Sequence, residues 1–198
     1  TVCFIKLILI LLFFLPNSNA QESFNFDVTE IEILDQGKKF IGKKNGVATT
    51  ENGIVIKANY FEYDKIDNIL IASGNVEIID EVQDIKLYSK KITYFKNKEV
   101  IFTSGNSKAI NSDGDIITAD EFEYDQIQDI LKAKGNVKID YKKDKIFNIY
   151  SNNIKYSNKH KIFTSNGNSK ATNNVGDIIL ADEFEYDQIQ DILKAKGN

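Results

Sequence analysis

Residues 114–136 read GDIITADEFEYDQIQDILKAKGN, and residues 176–198 repeat them with one change, Thr118 against Leu180. A third copy at 53–75 is more diverged but keeps Ala58, Phe61, Glu62, Tyr63, Asp64 and Gly74-Asn75. The spacings are 61 and 62 residues (114 − 53 and 176 − 114), and weaker copies lie half-way between. Ala58, Ser89, Ala119, Ser151 and Ala181 share one small-residue position; Phe61, Ile92, Phe122, Ile154 and Phe184 follow three residues later; Tyr63, Tyr94, Tyr124, Tyr156 and Tyr186 come two after that. Gly-Asn pairs at 74, 105, 135, 167 and 197 close the units, so the true repeat is about 30 residues. With a degenerate first copy at Val28, Ile31 and Ile33, the chain holds about six units.

Inside a unit the period is 2. Leu131, Ala133, Gly135, Val137 and Ile139 fall on one face and Lys132, Lys134, Asn136 and Lys138 on the other, the alternation of a half-buried strand. Ile117 and Ala119 also alternate inward; Asp120-Glu121 interrupts, and Phe122 and Tyr124 resume one step out of phase, which predicts a bulge or corner. Asp125 to Asp129 and Ser157 to Lys159 predict polar turns. Each unit is therefore two or more strands, too small to bury its apolar face alone and stable only when stacked. If equivalent positions lie on adjacent strands, the outward row Glu62, Thr93, Glu123, Lys155, Glu185 never sets like charges side by side.

The inventory of reactive groups is small: one His, one Cys, one Pro and no Met or Trp in 198 residues. A composition 42% apolar and 27% charged is that of a folded chain, which excludes wholesale disorder and a multi-span membrane protein. From Val2 to Leu15 only Lys6 is polar, and the uninterrupted apolar part from Leu7 has nine residues, against the roughly 18 to 20 that span a bilayer. With Pro16 and small residues at Ser18 and Ala20, this predicts a signal peptide over 1–20 and a mature domain over 21–198; an uncleaved N-terminal anchor is the alternative. The mature part has no Cys and hence no disulfide, 24 basic residues, all Lys, against 29 acidic ones, and no basic face for a nucleic-acid backbone. The last residues stop inside a motif, which predicts further chain beyond them.

Three motifs have a chemical and a plain reading. Glu-Tyr-Asp at 62–64, 123–125 and 185–187 resembles paired catalytic carboxylates, but catalytic pairs occur once, in one pocket, and these recur with the repeat. Asp113-Gly114-Asp115 lacks the further spaced oxygens of a calcium loop and reads as a surface turn. His160, between Lys159 and Lys161, reads as a solvated loop residue. No enzyme, metal or cofactor is expected. The aromatic row is either a self-filled core or an apolar groove able to accept alkyl chains, each buried methylene contributing about 0.8 kcal/mol. The small residues from Ala58 to Ala181 are expected to leave room for such chains.

Residues 117–139, ITADEFEYDQIQDILKAKGNVKI, carry the form apolar-x-Ala-x-x-Phe-x-Tyr, polar turn, Ala-x-Gly-Asn-Val. Over residues 24–198 this resembles the OstA-like (organic solvent tolerance) domains of lipopolysaccharide export. The resemblance implies an all-β, twisted, V-shaped β-jellyroll of stacked strand repeats, with lipid A acyl chains of lipopolysaccharide held against Phe61, Tyr63, Ile92, Tyr94, Phe122, Tyr124, Ile154, Tyr156, Phe184 and Tyr186. It also implies sister OstA-like domains docking head to tail through edge strands, a periplasmic place at the outer membrane, and a downstream barrel if the chain is of the outer-membrane branch. The expected further chain favours that outer-membrane branch, a soluble bridge protein is the next reading, and the cleavable-looking signal disfavours an inner-membrane-anchored member. The absence of Cys in 21–198 removes the disulfides that tie this domain to the barrel in some members. A structural or adhesive β-solenoid without a lipid ligand is the competing reading, and a carbohydrate-active β-helix enzyme a more distant one.

Overall fold

The computed structural model describes residues 24–141, 147–173 and 175–197; the segment read as a signal peptide lies outside them. The strands are β1 (Asn25–Leu34), β2 (Lys39–Thr49), β3 (Ile54–Asp64), β4 (Ile69–Asp80), β5 (Ile85–Phe95), β6 (Val100–Ser104), β7 (Ser107–Ile110), β8 (Ile116–Ala119), β9 (Glu121–Asp125), β10 (Ile130–Asp140), β11 (Phe147–Ser157), β12 (Ile162–Asn173), β13 (Ile178–Asp187) and β14 (Ile192–Lys196). They form one antiparallel sheet in which successive strands pair, except that β6 pairs with β5 and β9, β7 with β5 and β8, and β8 with β7 and β10. β6 and β7 are the two arms of one ribbon broken at Gly105-Asn106, and β8 and β9 the arms of another broken at Asp120. Among the described residues the fourteen strands are thus twelve ribbons, paired as six hairpins, one for each sequence unit.

The ribbons from β1 to β13 each bend at a register slip, at Asp120 as expected; the Gly-Asn pairs at 74, 105, 135 and 167, expected to close the units, lie instead in mid-ribbon and form the facing side of the same corner. Between β10 and β11 the register passes from Lys134↔Asn153 to Val137↔Ser151, so Gly135-Asn136 faces the single residue Asn152. The same slip follows Ser73 in β4 and Asn166 in β12. Both residues of the Gly-Asn pair take positive φ, +77° and +48° at Gly135-Asn136, a conformation open to glycine and tolerated by asparagine. A Cβ on Gly135 would lie 2.3 Å from Asp120 Oδ2 and 3.0 Å from Asp120 Cβ, so the glycine also admits the corner residue of the next ribbon. Amides displaced by the corner find side-chain acceptors: Phe122 N–H donates to Thr103 Oγ1 at 2.9 Å and Phe184 N–H to Ser165 Oγ at 3.0 Å.

The corners line up along the stack and crease the sheet into two halves that face each other. One half carries the inward residues Ile56, Ile78, Leu87, Ala109, Ile117, Ile139, Ile149 and Ala171; the other carries the aromatic row, and together they form one buried cluster. This is the expected all-β jellyroll of stacked repeats. The first unit is present from β1, which among the described residues is an edge strand: Ile31 and Ile33 are inward by register, opposite Gly42 and Phe40, and are exposed, with no described strand beyond them.

One expectation about stacking is corrected. Because each unit is a hairpin, equivalent residues of successive units lie on alternate strands, with the other strand of a hairpin between them. The outward row runs Glu62, Ile71, Thr93, Phe102, Glu123, Lys132, Lys155, Thr164, Glu185, Lys194. Glu123–Lys132 and Glu185–Lys194 form ion pairs at 2.7 and 2.8 Å. Lys132, however, stands directly opposite Lys155, so like charges do meet.

Candidate functional site

The ten residues expected to line a lipid groove all lie on the inner face of one half-sheet, in strands β3, β5, β9, β11 and β13, and none is more than 4% exposed. They are brought together as one continuous row. Its neighbours on the intervening strands are Leu70, Ala72, Ile101, Leu131, Ala133 and Phe163, all buried. Aromatic rings close the row at both ends. Phe24 packs edge-on against Tyr63 and Tyr94, with centroids 5.0 and 5.5 Å away; Tyr141 does the same against Tyr186 and Phe163 at 5.2 and 5.8 Å. The small residues Ala58, Ser89, Ala119, Ser151 and Ala181 sit at the crease. There Ser89 and Ser151 hydroxyls donate to the bulge carbonyls of Ser104 (2.8 Å) and Asn166 (3.1 Å), so their smallness serves the corner itself.

Opposite the crease, where the two halves meet again, the contact is polar. The tyrosines of the row point their hydroxyls there. Tyr124 donates to Asp80 Oδ2 at 2.7 Å, and Asp80 Oδ1 in turn accepts from the amides of Val82 (3.1 Å) and Gln83 (3.0 Å). Tyr94 donates its one hydroxyl hydrogen to Glu99 and lies 3.2 Å from Gln126 Oε1, which accepts from Asn52 across the gap at 3.4 Å. Asn158 Nδ2 donates to the Gln83 carbonyl at 3.0 Å and to Asp129. Asn111 Nδ2 donates to the Tyr156 hydroxyl at 3.3 Å, and Gln188 Nε2 to Asp115 Oδ2 at 2.6 Å. The turns of one half-sheet thus bond to the turns of the other along a seam of buried carboxylates, amides and phenols.

The seam is the part of the site that sequence reasoning missed. Asp115, read as part of a surface turn, is 2% exposed, and Gln126 and Asp129 of the polar turn at 125–129 are also buried. His160 is exposed as expected, its Nδ1 2.9 Å from Ser157 Oγ. A signal did exist: the residue five after each row tyrosine (Asn68, Glu99, Asp129, Lys161, Asp191) is polar in every unit and takes positive φ, and three of them accept from that tyrosine. Burial raises the phenols of Tyr94, Tyr124 and Tyr156 above the ordinary range, reinforced at Tyr94 by Glu99 and at Tyr124 by Asp80; burial likewise raises the Asp129 carboxyl. The seam is incompletely satisfied, since Gln126 Nε2 and Gln188 Oε1 are buried without hydrogen-bond partners among the described residues.

No group of three or more His, Cys, Asp or Glu side chains is placed to hold a metal ion among the described residues. A creased antiparallel sheet around an apolar row, laced shut by polar side chains, defines the class as a β-jellyroll whose distinctive chemistry is its interior. The family of LptA/(LptD N-terminal domain) LPS transport proteins matches residues 55–192, and the chain belongs to that family. This is the OstA-like resemblance carried by residues 117–139. Among solved structures, LptH, the LptA homologous periplasmic component of the conserved lipopolysaccharide transport device from Pseudomonas aeruginosa, superposes with a TM-score of 0.51 at 17% identity, over 57% of this chain and 82% of that one. That likeness is one of fold. No curated protein matches the chain.

Proposed function

We propose that this domain carries lipopolysaccharide across the periplasm as a non-enzymatic transport element, lodging lipid A acyl chains against the row from Phe61 to Tyr186. The carrying observation is the division of labour inside the fold: both half-sheets are held by backbone ladders and apolar packing and are joined covalently through the crease, whereas the opposite side is closed by side-chain hydrogen bonds that leave Gln126 Nε2 and Gln188 Oε1 without partners among the described residues. The halves part along this seam, and alkyl chains take up the apolar contacts that the two inner faces then lose. Each methylene buried contributes about 0.8 kcal/mol, so a few acyl chains offset the broken seam.

Docking of sister domains is placed at the first hairpin. Among the described residues β1 pairs with β2 on one side only, and its inward Ile31 and Ile33 are 51% and 57% exposed. An unpaired strand with apolar side chains is a template for a further strand. A sister domain supplies it, extending the apolar interior from one domain to the next and, in the outer-membrane branch, towards a barrel.

A self-filled structural solenoid is the second reading, favoured by the complete burial of the ten row residues. Photo-crosslinking from position 122 or 154 in the presence of lipopolysaccharide separates the two. Capture of lipopolysaccharide from the interior is expected; a folded protein that captures none from either position leaves the solenoid.

A further inference from the structure

The outer face of the aromatic half-sheet is concave between β5 and β12 and forms a groove of about 840 Å³, within the size range of ligand sites. It crosses six strands, about 24 Å at about 4.8 Å per strand. The protein as a whole has net charge −4, but this groove is lined by Lys91, Lys132, Lys134 and Lys155 against Glu121 and Glu123. Only Lys132 is paired, with Glu123; among the described residues no ion pair forms at Lys91, Lys134 or Lys155. Lys132 and Lys155 face each other directly across β10 and β11, and Glu123 compensates only Lys132, which leaves Lys155 beside a like charge with no anion of its own among the described residues. Two strands away, about 10 Å, Phe102 is 40% exposed in the same groove, its ring held edge-on against Phe95 at 5.7 Å.

We propose that this groove binds the phosphorylated saccharide portion of lipopolysaccharide, a second site on the opposite side of the sheet from the acyl-chain row. The facing lysines take a phosphate, Phe102 offers a flat surface for the C–H face of a sugar ring, and Thr93, Thr164 and Asn166 supply hydroxyl and amide partners. The saccharide's identity rests on the lipopolysaccharide reading above; the charge argument does not.

The test uses fully deacylated lipopolysaccharide, which keeps sugars and phosphates, titrated into isotope-labelled protein and followed by amide shifts. Shifts centred on residues 102, 132, 134 and 155 are expected, with affinity falling as salt rises. Lys155→Glu, which places opposite charges across β10 and β11, is expected to raise the thermal midpoint and weaken binding at least tenfold; Phe102→Ala is expected to weaken it several-fold. Shifts elsewhere, no binding, or equal binding by Lys155→Glu overturns the proposal. Because the probe has no acyl chains, such a failure leaves the interior reading standing, and failed crosslinking from position 122 leaves this one.

Discussion

Two kinds of residue hold the aromatic half-sheet to its partner, and they differ in what their loss costs. Phe122 is wholly packed in apolar surroundings, and truncation to Ala leaves a cavity that lowers stability by about 3–5 kcal/mol. Tyr124 has the same burial, but its hydroxyl is the donor for Asp80 Oδ2. Tyr124→Phe keeps the ring and leaves a buried carboxylate oxygen without that donor, an expected loss of about 1–3 kcal/mol. Urea unfolding checks both; a Tyr124→Phe protein as stable as the parent contradicts the seam as described. This polar role was only partly legible in the sequence: the polar residue five after each row tyrosine marks Asp129, but Asp80 and Asp115 have the composition of any turn. Whether a turn faces water or the opposite half-sheet depends on how far the sheet folds over, which no local pattern records.

At the scale of the ribbon, the corner decides the fold, and there the sequence was informative. The phase change after Ala119 marks the bend, since only a bulge shifts a period-2 pattern; the Gly-Asn pairs, which the repeat alone places at unit ends, belong to the same corner, where glycine tolerates both the positive φ at 135 and the approach of Asp120. Gly53, in the turn before β3, has φ +88° but open space where its Cβ would be. Gly53→Ala is therefore expected to lose only the conformational cost, about 1–2 kcal/mol, and Gly135→Ala clearly more, because Asp120 must also move. Equal losses in thermal unfolding contradict the close-approach role. The order of strands was less legible. A unit of about 30 residues serves equally for a solenoid that sets equivalent residues on adjacent strands and for a run of hairpins that sets them on alternate ones. The hairpins observed here put Lys132 against Lys155 and so create the basic groove.

Over the whole molecule, the interior is a stack of apolar layers bordered by phenols. In Tyr94, Tyr124, Tyr141 and Tyr156 burial holds the phenol above its ordinary range. A phenol that ionises near pH 10 when unfolded and only at higher pH when folded favours the unfolded state as pH rises. Stability is thus expected to be unaffected by these groups below about pH 10 and to fall steeply above it, with tyrosinate absorbance appearing together with loss of strand signal. Tyrosinate formed while the sheet stays intact contradicts their burial. The same burial is what lipid must displace, so the central claim is tested most directly by intermolecular proton NOEs between acyl-chain methylenes and the protein in its complex with lipopolysaccharide. The account predicts NOEs to Phe122, Ile154 and their neighbours in the row. A stable complex whose acyl chains contact only outward-facing residues, with the row unperturbed, contradicts it.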